Sequence, residues 1–136
     1  MAFVTLAAPA LAGDAKSAFL SYLRSTYNAT SMRQISPYMP ENLAKIMNSQ
    51  NNPEAEKQSL QAYRSRYLSN VKFQYDQAAD ENTEALSGTG VSATGIPTSF
   101  QVTMVKEKDG WKLSQWAYQP DTDWLLKHKR EAGLVR

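Results

Sequence analysis

The sequence contains no cysteine and a single histidine, His128. The absence of cysteine excludes a disulfide framework, a thiolate zinc site, a cysteine nucleophile and a lipid anchor attached through sulfur. The single histidine excludes any site that needs two imidazoles. An excess of one charge is also missing, since 15 Lys and Arg residues stand against 13 Asp and Glu residues. The formal charge of +2 does not favour a nucleic-acid partner, which requires a concentrated basic face.

Long hydrophobic runs are missing as well, because no stretch approaches the roughly 20 apolar residues that a membrane-spanning helix needs. The segment MAFVTLAAPALAG, residues 1–13, instead resembles the end of a secretory signal, since Ala10-Leu11-Ala12 offers the small residues that a signal peptidase accepts. We expect residues 1–12 to be a signal peptide remnant and the protein to be periplasmic or secreted. No Lys or Arg precedes the apolar run, so either the true start lies upstream or the segment has been shortened. The alternative is an apolar strand or helix that stays on the mature protein.

The remaining residues, 13–136, are expected to form one domain. The hydrophobic content of 42% is enough for a core, but an exported chain without disulfides must be held together by packing alone. The three Trp, seven Tyr and four Phe residues are the main source of that packing, since each can bury about 150–250 Å².

Helical periodicity governs the first half of the chain. Asp14 can cap a helix that runs to about Ala29, prolines then interrupt the chain, and a short second helix is predicted over residues 41–47. The inward residues of that second helix are predicted to be Leu43, Ile46 and Met47. A third helix starts at Pro53, and its apolar positions continue as far as Val71.

Strand alternation governs the second half. Four strands are predicted, starting at Val71, at Thr83, near Phe100 and at Trp111. Asp109-Gly110 is typical of a tight hairpin turn, and a last helix is capped after Pro120. The sequence therefore predicts an α+β fold in which three N-terminal helices pack on a curved four-stranded antiparallel sheet, followed by a short C-terminal helix.

Two phrases, SPYMPENLAKIM and KDGWKLSQWAYQP, together with the order of the elements, resemble the nuclear-transport-factor-two-like superfamily, and in particular its small exported bacterial members. The resemblance covers about residues 14–118. It implies the cone-shaped α+β fold that is also called cystatin-like. The superfamily includes isomerases, dehydratases, polyketide cyclases, transport factors and protein partners, so the resemblance leaves the function open.

Enzymes of this shape place an Asp or an Asp–His pair inside the cone, as the resemblance implies. His128 lies among Lys127, Lys129 and Arg130 at a helix end, which is a poor setting for a base. Asp76 is expected to point away from the apolar residues of its strand by alternation. We therefore predict no catalytic residue, no metal ligand and no cofactor.

Aromatic placement in the last strand is the feature most open to a functional interpretation. Trp111 has the parity of the helix-covered face, whereas Trp116 and Tyr118 have the opposite parity and are expected to face outward. Either the C-terminal helix covers them through Trp124, or a bulge near Gln115 resets the parity, or they bind a partner. Trp116, Tyr118 and Trp124 are the predicted partner-binding residues.

A second set of aromatics is predicted to line a pocket at the mouth of the cone, unless these residues are simply core. This set comprises Tyr22, Tyr63, Tyr67, Tyr75 and Trp111. We predict an exported, non-enzymatic binding or interaction protein whose partner is another protein or, through its sheet, a second copy of the chain. The alternative is a carrier of a small apolar ligand in the cone pocket, and the third hypothesis is an isomerase- or dehydratase-like enzyme.

Overall fold

Three α-helices precede a four-stranded antiparallel sheet, and a fourth helix follows it, in the computed structural model, which describes residues 14–49 and 51–133. The elements are α1 Ala15–Asn28, two 3-10 helices at Met32–Gln34 and Ser36–Tyr38, α2 Glu41–Asn48, α3 Pro53–Arg64, β1 Leu68–Asp80, β2 Thr83–Ser92, β3 Pro97–Glu107, β4 Gly110–Pro120 and α4 Thr122–Glu131. The predicted α+β class and the order of its elements are confirmed. The predicted signal peptide remnant lies outside the described residues.

Side-chain caps fix where the helices begin. The Asp14 carboxylate accepts a hydrogen bond from the Ser17 amide at 3.2 Å, and the Asp121 carboxylate accepts one from the Trp124 amide at 3.0 Å. The Asn52 side chain does the same for two amides of α3. Each cap satisfies backbone donors that have no partner within their own helix, which is why these starts could be predicted locally.

The predicted continuation of the third helix to Val71 is wrong. Helix α3 ends at Arg64, and a turn closed by the Arg66 amide on the Tyr63 carbonyl at 3.0 Å leads into β1. From Leu68 onward the backbone pairs with β2 instead. Helical spacing of apolar residues across a helix-to-strand junction cannot show where cross-strand pairing takes over.

The inward placement of Ile46 in α2 is also wrong. Met47 is buried, but the Ile46 side chain is 66% exposed. An eight-residue helix buries only a narrow stripe, and Met47 occupies it.

The sheet is a meander in the order β1-β2-β3-β4. Gly110 closes the last hairpin with φ of 126°, a conformation that favours glycine. Gly88 in β2 is required for a different reason, because a β-carbon there would lie 2.0 Å from the Lys72 carbonyl oxygen of the neighbouring strand. We call the side of the sheet that bears Leu86, Phe100 and Val102 the helix-covered face, and the other side the open face.

A bulge interrupts β4. Thr103 of β3 lies opposite Gln115, but the next residue, Met104, lies opposite Leu113. Ser114 is therefore an extra residue in β4. An extra residue reverses the side on which every following side chain lies, because the side-chain period of a strand is two.

The bulge turns Trp116 and Tyr118 towards the helices. Trp116 lies opposite Val102, and Tyr118 lies opposite Phe100, which are 3% and 1% exposed. Residues that face each other across an antiparallel pair share a face. The expected outward position of Trp116 and Tyr118 is wrong, and the alternative of a bulge near Gln115 is confirmed.

A second bulge lies in β1. Phe73 lies opposite Gly88 and Tyr75 lies opposite Ser87, so Gln74 is the extra residue. Tyr75 therefore faces away from the helices, with 51% of its surface exposed.

The same bulge moves Asp76 in the other direction. Asp76 lies opposite Leu86, which is 1% exposed on the helix-covered face. The expectation that Asp76 points away from the apolar face is therefore wrong, because the simple alternation used for it does not continue through Gln74.

Helix α1 supplies the centre of the core. The Phe19 ring lies 5.2 Å from the Phe100 ring and 6.4 Å from the Phe73 ring, measured between centroids. The other buried apolar residues of the core are Ala15, Tyr22, Leu23, Ala29, Met32, Ile35, Met39, Met47, Leu60, Leu68, Leu86, Val102, Met104, Trp111 and Leu113. The core thus lies between α1, the segment after it and the helix-covered face.

Candidate functional site

Side chains from three elements converge beside the last part of α1. They come from α1, from the end of α3 with its following turn, and from β4 beyond its bulge. We call this group the Arg66 cluster; its members are Tyr22, Thr26, Tyr63, Arg66, Trp116 and Tyr118. It joins residues from both sets that the sequence analysis singled out.

The Arg66 guanidinium sits in an aromatic corner. Its central carbon lies over the Tyr63 ring at 4.9 Å and over the Trp116 ring at 4.5 Å, measured to the centroids. The two rings are 6.3 Å apart with an interplanar angle of 52°. The tight turn after α3 places Arg66 next to Tyr63, and the β4 bulge brings Trp116 to the same place. Contacts of this kind favour a cation by about 0.5–1 kcal/mol each at partly exposed positions.

No acidic side chain neutralises Arg66. All 13 Asp and Glu residues of the sequence lie within residues 14–49 and 51–133, and none of them is within ion-pair distance of its guanidinium. A positive charge in this corner is therefore balanced only by aromatic rings and by solvent.

Hydroxyl groups lie next to the Arg66 guanidinium. The Tyr22 and Thr26 hydroxyl oxygens are buried, and the Tyr22 hydroxyl lies beside both Thr26 and the Arg66 guanidinium, at geometries looser than an ordinary hydrogen bond. Burial raises the pKa of Tyr22 to about 12, an effect that the nearby Thr26 hydroxyl and Arg66 charge oppose. Burial, and then the neighbouring Tyr22, raise the pKa of Tyr118 well above its usual value, while Arg66 again opposes the shift. Both phenols thus remain neutral donors near neutral pH.

The remaining predicted pocket residues lie elsewhere. Tyr67 stacks on Tyr27 with centroids 4.5 Å apart, and Tyr27 is 60% exposed. Tyr75 lies on the open face because of the β1 bulge. Trp111 lies opposite Lys106 near the β3–β4 turn. Of the predicted pocket set, the structure brings together only Tyr22 and Tyr63.

The predicted partner-binding residues also separate. Trp116 and Tyr118 belong to the Arg66 cluster, whereas Trp124 stacks on His128 within α4 at 3.6 Å between centroids. No described residue of α4 is buried. A partner-binding role for Trp116, Tyr118 and Trp124 stays a prediction.

Sequence reasoning did not identify Arg66 or Thr26 as site residues. Spacing places Thr26 on the inner stripe of α1, one helical turn after Tyr22, but does not mark it as part of a site. Arg66 follows Tyr63 by three residues, but a cation just beyond a helix ordinarily indicates a solvated end. No local signal in the sequence distinguishes an arginine at a solvated helix end from one that packs against aromatic rings.

A second polar cluster lies near the start of α1. Lys16 Nζ is 3.4 Å from the Asp76 carboxylate, and the Glu84 carboxyl hydrogen-bonds Asp76. That hydrogen bond, with desolvation and the negative charges of Asp76 and Asp14, raises the pKa of Glu84 to about 7, while Lys16 opposes the shift. The Glu84 carboxyl therefore keeps its proton up to about pH 7.

A surface cleft of about 800 Å³ lies between α2 and the β3–β4 hairpin. Its buried cation is fully partnered, since Lys112 Nζ donates to the Pro37 carbonyl at 2.6 Å and to Asp109 at 2.9 Å. Glu107 accepts a hydrogen bond from the Glu41 amide at 3.2 Å. The charges of this cleft stabilise the fold and leave no free cation comparable with Arg66.

Two further properties complete the description. Across the part of the chain that the structure covers, no helix combines the length and the apolarity needed to cross a membrane. The same residues contain no group of three or more acidic or histidine side chains arranged to hold a metal ion.

Comparisons of the chain with protein-family models, with curated proteins and with solved structures gave no match.

Proposed function

We propose that this protein is a non-catalytic binding protein that holds a small molecule with an apolar body at the Arg66 cluster. The observation that carries the proposal is a cation without an acidic partner, placed over the Tyr63 and Trp116 rings where these side chains and Tyr118 are partly exposed. Apolar walls with a few convergent polar groups are the usual composition of a ligand site.

This proposal develops the carrier hypothesis rather than the sheet-docking hypothesis. The outward parity of Trp116 and Tyr118 was the main argument for docking, and the Ser114 bulge removes it. The cluster holds donors and a cation but has no carboxylate at Arg66 and no histidine, so it lacks a general base. Binding accounts for these groups better than acid–base catalysis does.

The three tryptophans allow a direct test, because each reports on a different region. Naphthoate and its neutral amide, naphthamide, are titrated into the protein while the three indole N–H resonances are followed by NMR. We expect the Trp116 signal to move and the Trp111 and Trp124 signals to stay. Trp116→Ala should lose binding, whereas the matched variant Trp124→Ala should keep it. If neither naphthoate nor naphthamide moved the Trp116 indole resonance, the proposal would be contradicted.

A second candidate function is self-association through the open face. A shallow hollow of about 330 Å³ lies on this face beside the exposed Tyr75 ring, and Ser87, Gln101 and Ala117 also line it. Analytical ultracentrifugation of the wild type and of Tyr75→Ser tests it, with Ile46→Ser as a control for removing an exposed apolar side chain. A dimer that only Tyr75→Ser abolishes supports this function. A wild type that stays monomeric at its highest soluble concentration rules it out.

Family and location are proposals as well. Helices followed by a four-stranded antiparallel meander support membership of the nuclear-transport-factor-two-like superfamily. Ala10-Leu11-Ala12 supports export to the periplasm or the medium. N-terminal sequencing of the protein recovered from those fractions should show cleavage after Ala12, and recovery of the uncleaved chain inside the cell would contradict export.

A further inference from the structure

We infer that the ligand of the Arg66 cluster carries a single carboxylate, which the Arg66 guanidinium binds; this inference rests on the binding function proposed above. Its chemical class is a small organic acid whose apolar or aromatic body packs against Trp116. Three properties of the site support the inference: its uncompensated charge, the guanidinium N–H donors that remain free for a ligand, and the presence of a single cation.

Three cations of the described residues are not exposed, namely Lys16, Arg66 and Lys112. Lys16 and Lys112 each have a carboxylate, at 3.4 Å and 2.9 Å. Arg64 donates to the Ala29 carbonyl at the end of α1. Arg66 has neither kind of partner among the described residues, although it is removed from full solvent contact. Partial burial of an uncompensated charge is costly, and an anion supplied from outside would offset that cost.

The second step concerns geometry. The rings of Tyr63 and Trp116 pack against the guanidinium from two directions, at 4.9 Å and 4.5 Å from its central carbon. The Tyr22 hydroxyl also lies beside the guanidinium, but it can accept from only one or two of the five N–H donors that arginine carries, so donors remain for a ligand. The N–H edge of arginine matches the two oxygens of a carboxylate. The neutral hydroxyl of Tyr118 lies near the same charge and can donate to one of those oxygens.

The third step uses the count of charges. Arg66 is the one cation of the cluster, and its nearest basic neighbour in sequence, Arg64, is engaged with Ala29. A phosphate or a polyanion would require further cations, which the cluster does not contain. One cation with aromatic walls fits a monoanion with an apolar body.

Calorimetric titration of naphthoate and naphthamide tests the inference, because the two molecules share a shape and differ in charge. We expect the wild type to bind naphthoate roughly tenfold or more tightly than naphthamide, a difference of about 1.4 kcal/mol or more. Arg66→Met should bind both equally. Arg66→Lys keeps the charge without the planar N–H edge, and it should retain only part of the preference. Arg33→Met, which removes an exposed arginine, should behave as the wild type.

The outcomes separate the two proposals. Equal affinity of the wild type for naphthoate and naphthamide would overturn the carboxylate inference and leave the binding function standing. Failure of both probes to bind would overturn both. If Arg66→Met does not fold, as judged by its circular dichroism, the same comparison in Arg66→Lys decides, since an undiminished preference there would show that planar recognition by Arg66 is wrong.

Discussion

Two polar clusters flank the inner side of α1, and they treat charge in opposite ways. Near the start of the helix, Lys16 pairs with Asp76, and Asp76 in turn hydrogen-bonds Glu84. Near its end, Arg66 lies among aromatic rings and hydroxyls without any acid. The first cluster pairs its lysine with a carboxylate of the same chain, as a structural contact does. The second contains a cation without a carboxylate partner, which is what the proposed binding site requires before its ligand arrives.

Under the proposed function, one helix serves stability at one end and ligand binding at the other. Phe19 lies between the two clusters in the sequence of α1 and packs against Phe73 and Phe100. Because both clusters depend on the position of α1 over the sheet, the shared support can be broken first and each cluster then altered alone.

The largest expected effect follows from Phe19→Ala. Removing this fully buried ring should lower the free energy of unfolding by about 3–5 kcal/mol, because it leaves a cavity between α1 and the sheet. Denaturant unfolding measures this loss. Lys57→Ala, at an exposed position of α3, is the control and should change stability by no more than about 0.5 kcal/mol. A loss for Phe19→Ala that matched the control would show that α1 does not support both clusters.

Arg66→Met should have a smaller effect on stability. The variant loses the contacts with the Tyr63 and Trp116 rings, each worth about 0.5–1 kcal/mol, but breaks no ion pair, so we expect a loss of about 1–2 kcal/mol. Thermal unfolding measured with and without naphthoate gives both quantities, the intrinsic change and the loss of ligand stabilisation. A destabilisation as large as that of Phe19→Ala would identify Arg66 as a structural residue and remove the contrast between the clusters.

Glu84→Gln should change how stability depends on pH. The folded-state pKa of about 7 lies above the ordinary 4.5, so the folded protein holds this proton more tightly than the unfolded chain. The stabilisation is present below pH 4.5 and is lost as pH rises to about 7. Because Glu84 is partly exposed, we expect this contribution to stay below about 1 kcal/mol. Unfolding measured across this interval should show a decline in the wild type that is absent in Glu84→Gln, and identical profiles would be the contrary result.

Lys16→Met should have the smallest effect on stability. The Lys16–Asp76 pair is partly exposed, and pairs of this kind contribute about 0.2–1 kcal/mol. The variant should also raise the pKa of Glu84 further, since Lys16 lowers it in the wild type. An NMR titration of the Glu84 carboxyl carbon measures this shift. A pKa of Glu84 that fell, or did not move, would exclude Lys16 from the cluster.

Local signals in the sequence were enough for the ends of elements. The Asp14 and Asp121 carboxylates cap helices by accepting hydrogen bonds from amides three residues later, and Gly110 adopts the positive φ that Asp-Gly turns favour. Each of these features is decided by neighbours in sequence, so the class and the order of elements were predictable from the residues alone.

The bulges at Gln74 and Ser114 were not predictable in the same way. Gln74 and Ser114 are extra residues only relative to the strands beside them, so their positions depend on cross-strand pairing. They decide which face Tyr75 and Trp116 occupy. The aromatic members of the candidate site were therefore identified, but their grouping was not, and Arg66 could only be found once Trp116 lay beside it.

The most direct test of the account is a crystal structure of the protein with naphthoate bound. We predict the carboxylate within hydrogen-bond distance of the Arg66 guanidinium and the naphthalene ring against Trp116, with the Tyr118 hydroxyl facing the ligand. Naphthoate seated instead in the open-face hollow beside Tyr75, or an Arg66 that forms an ion pair with a carboxylate of its own chain, would contradict it.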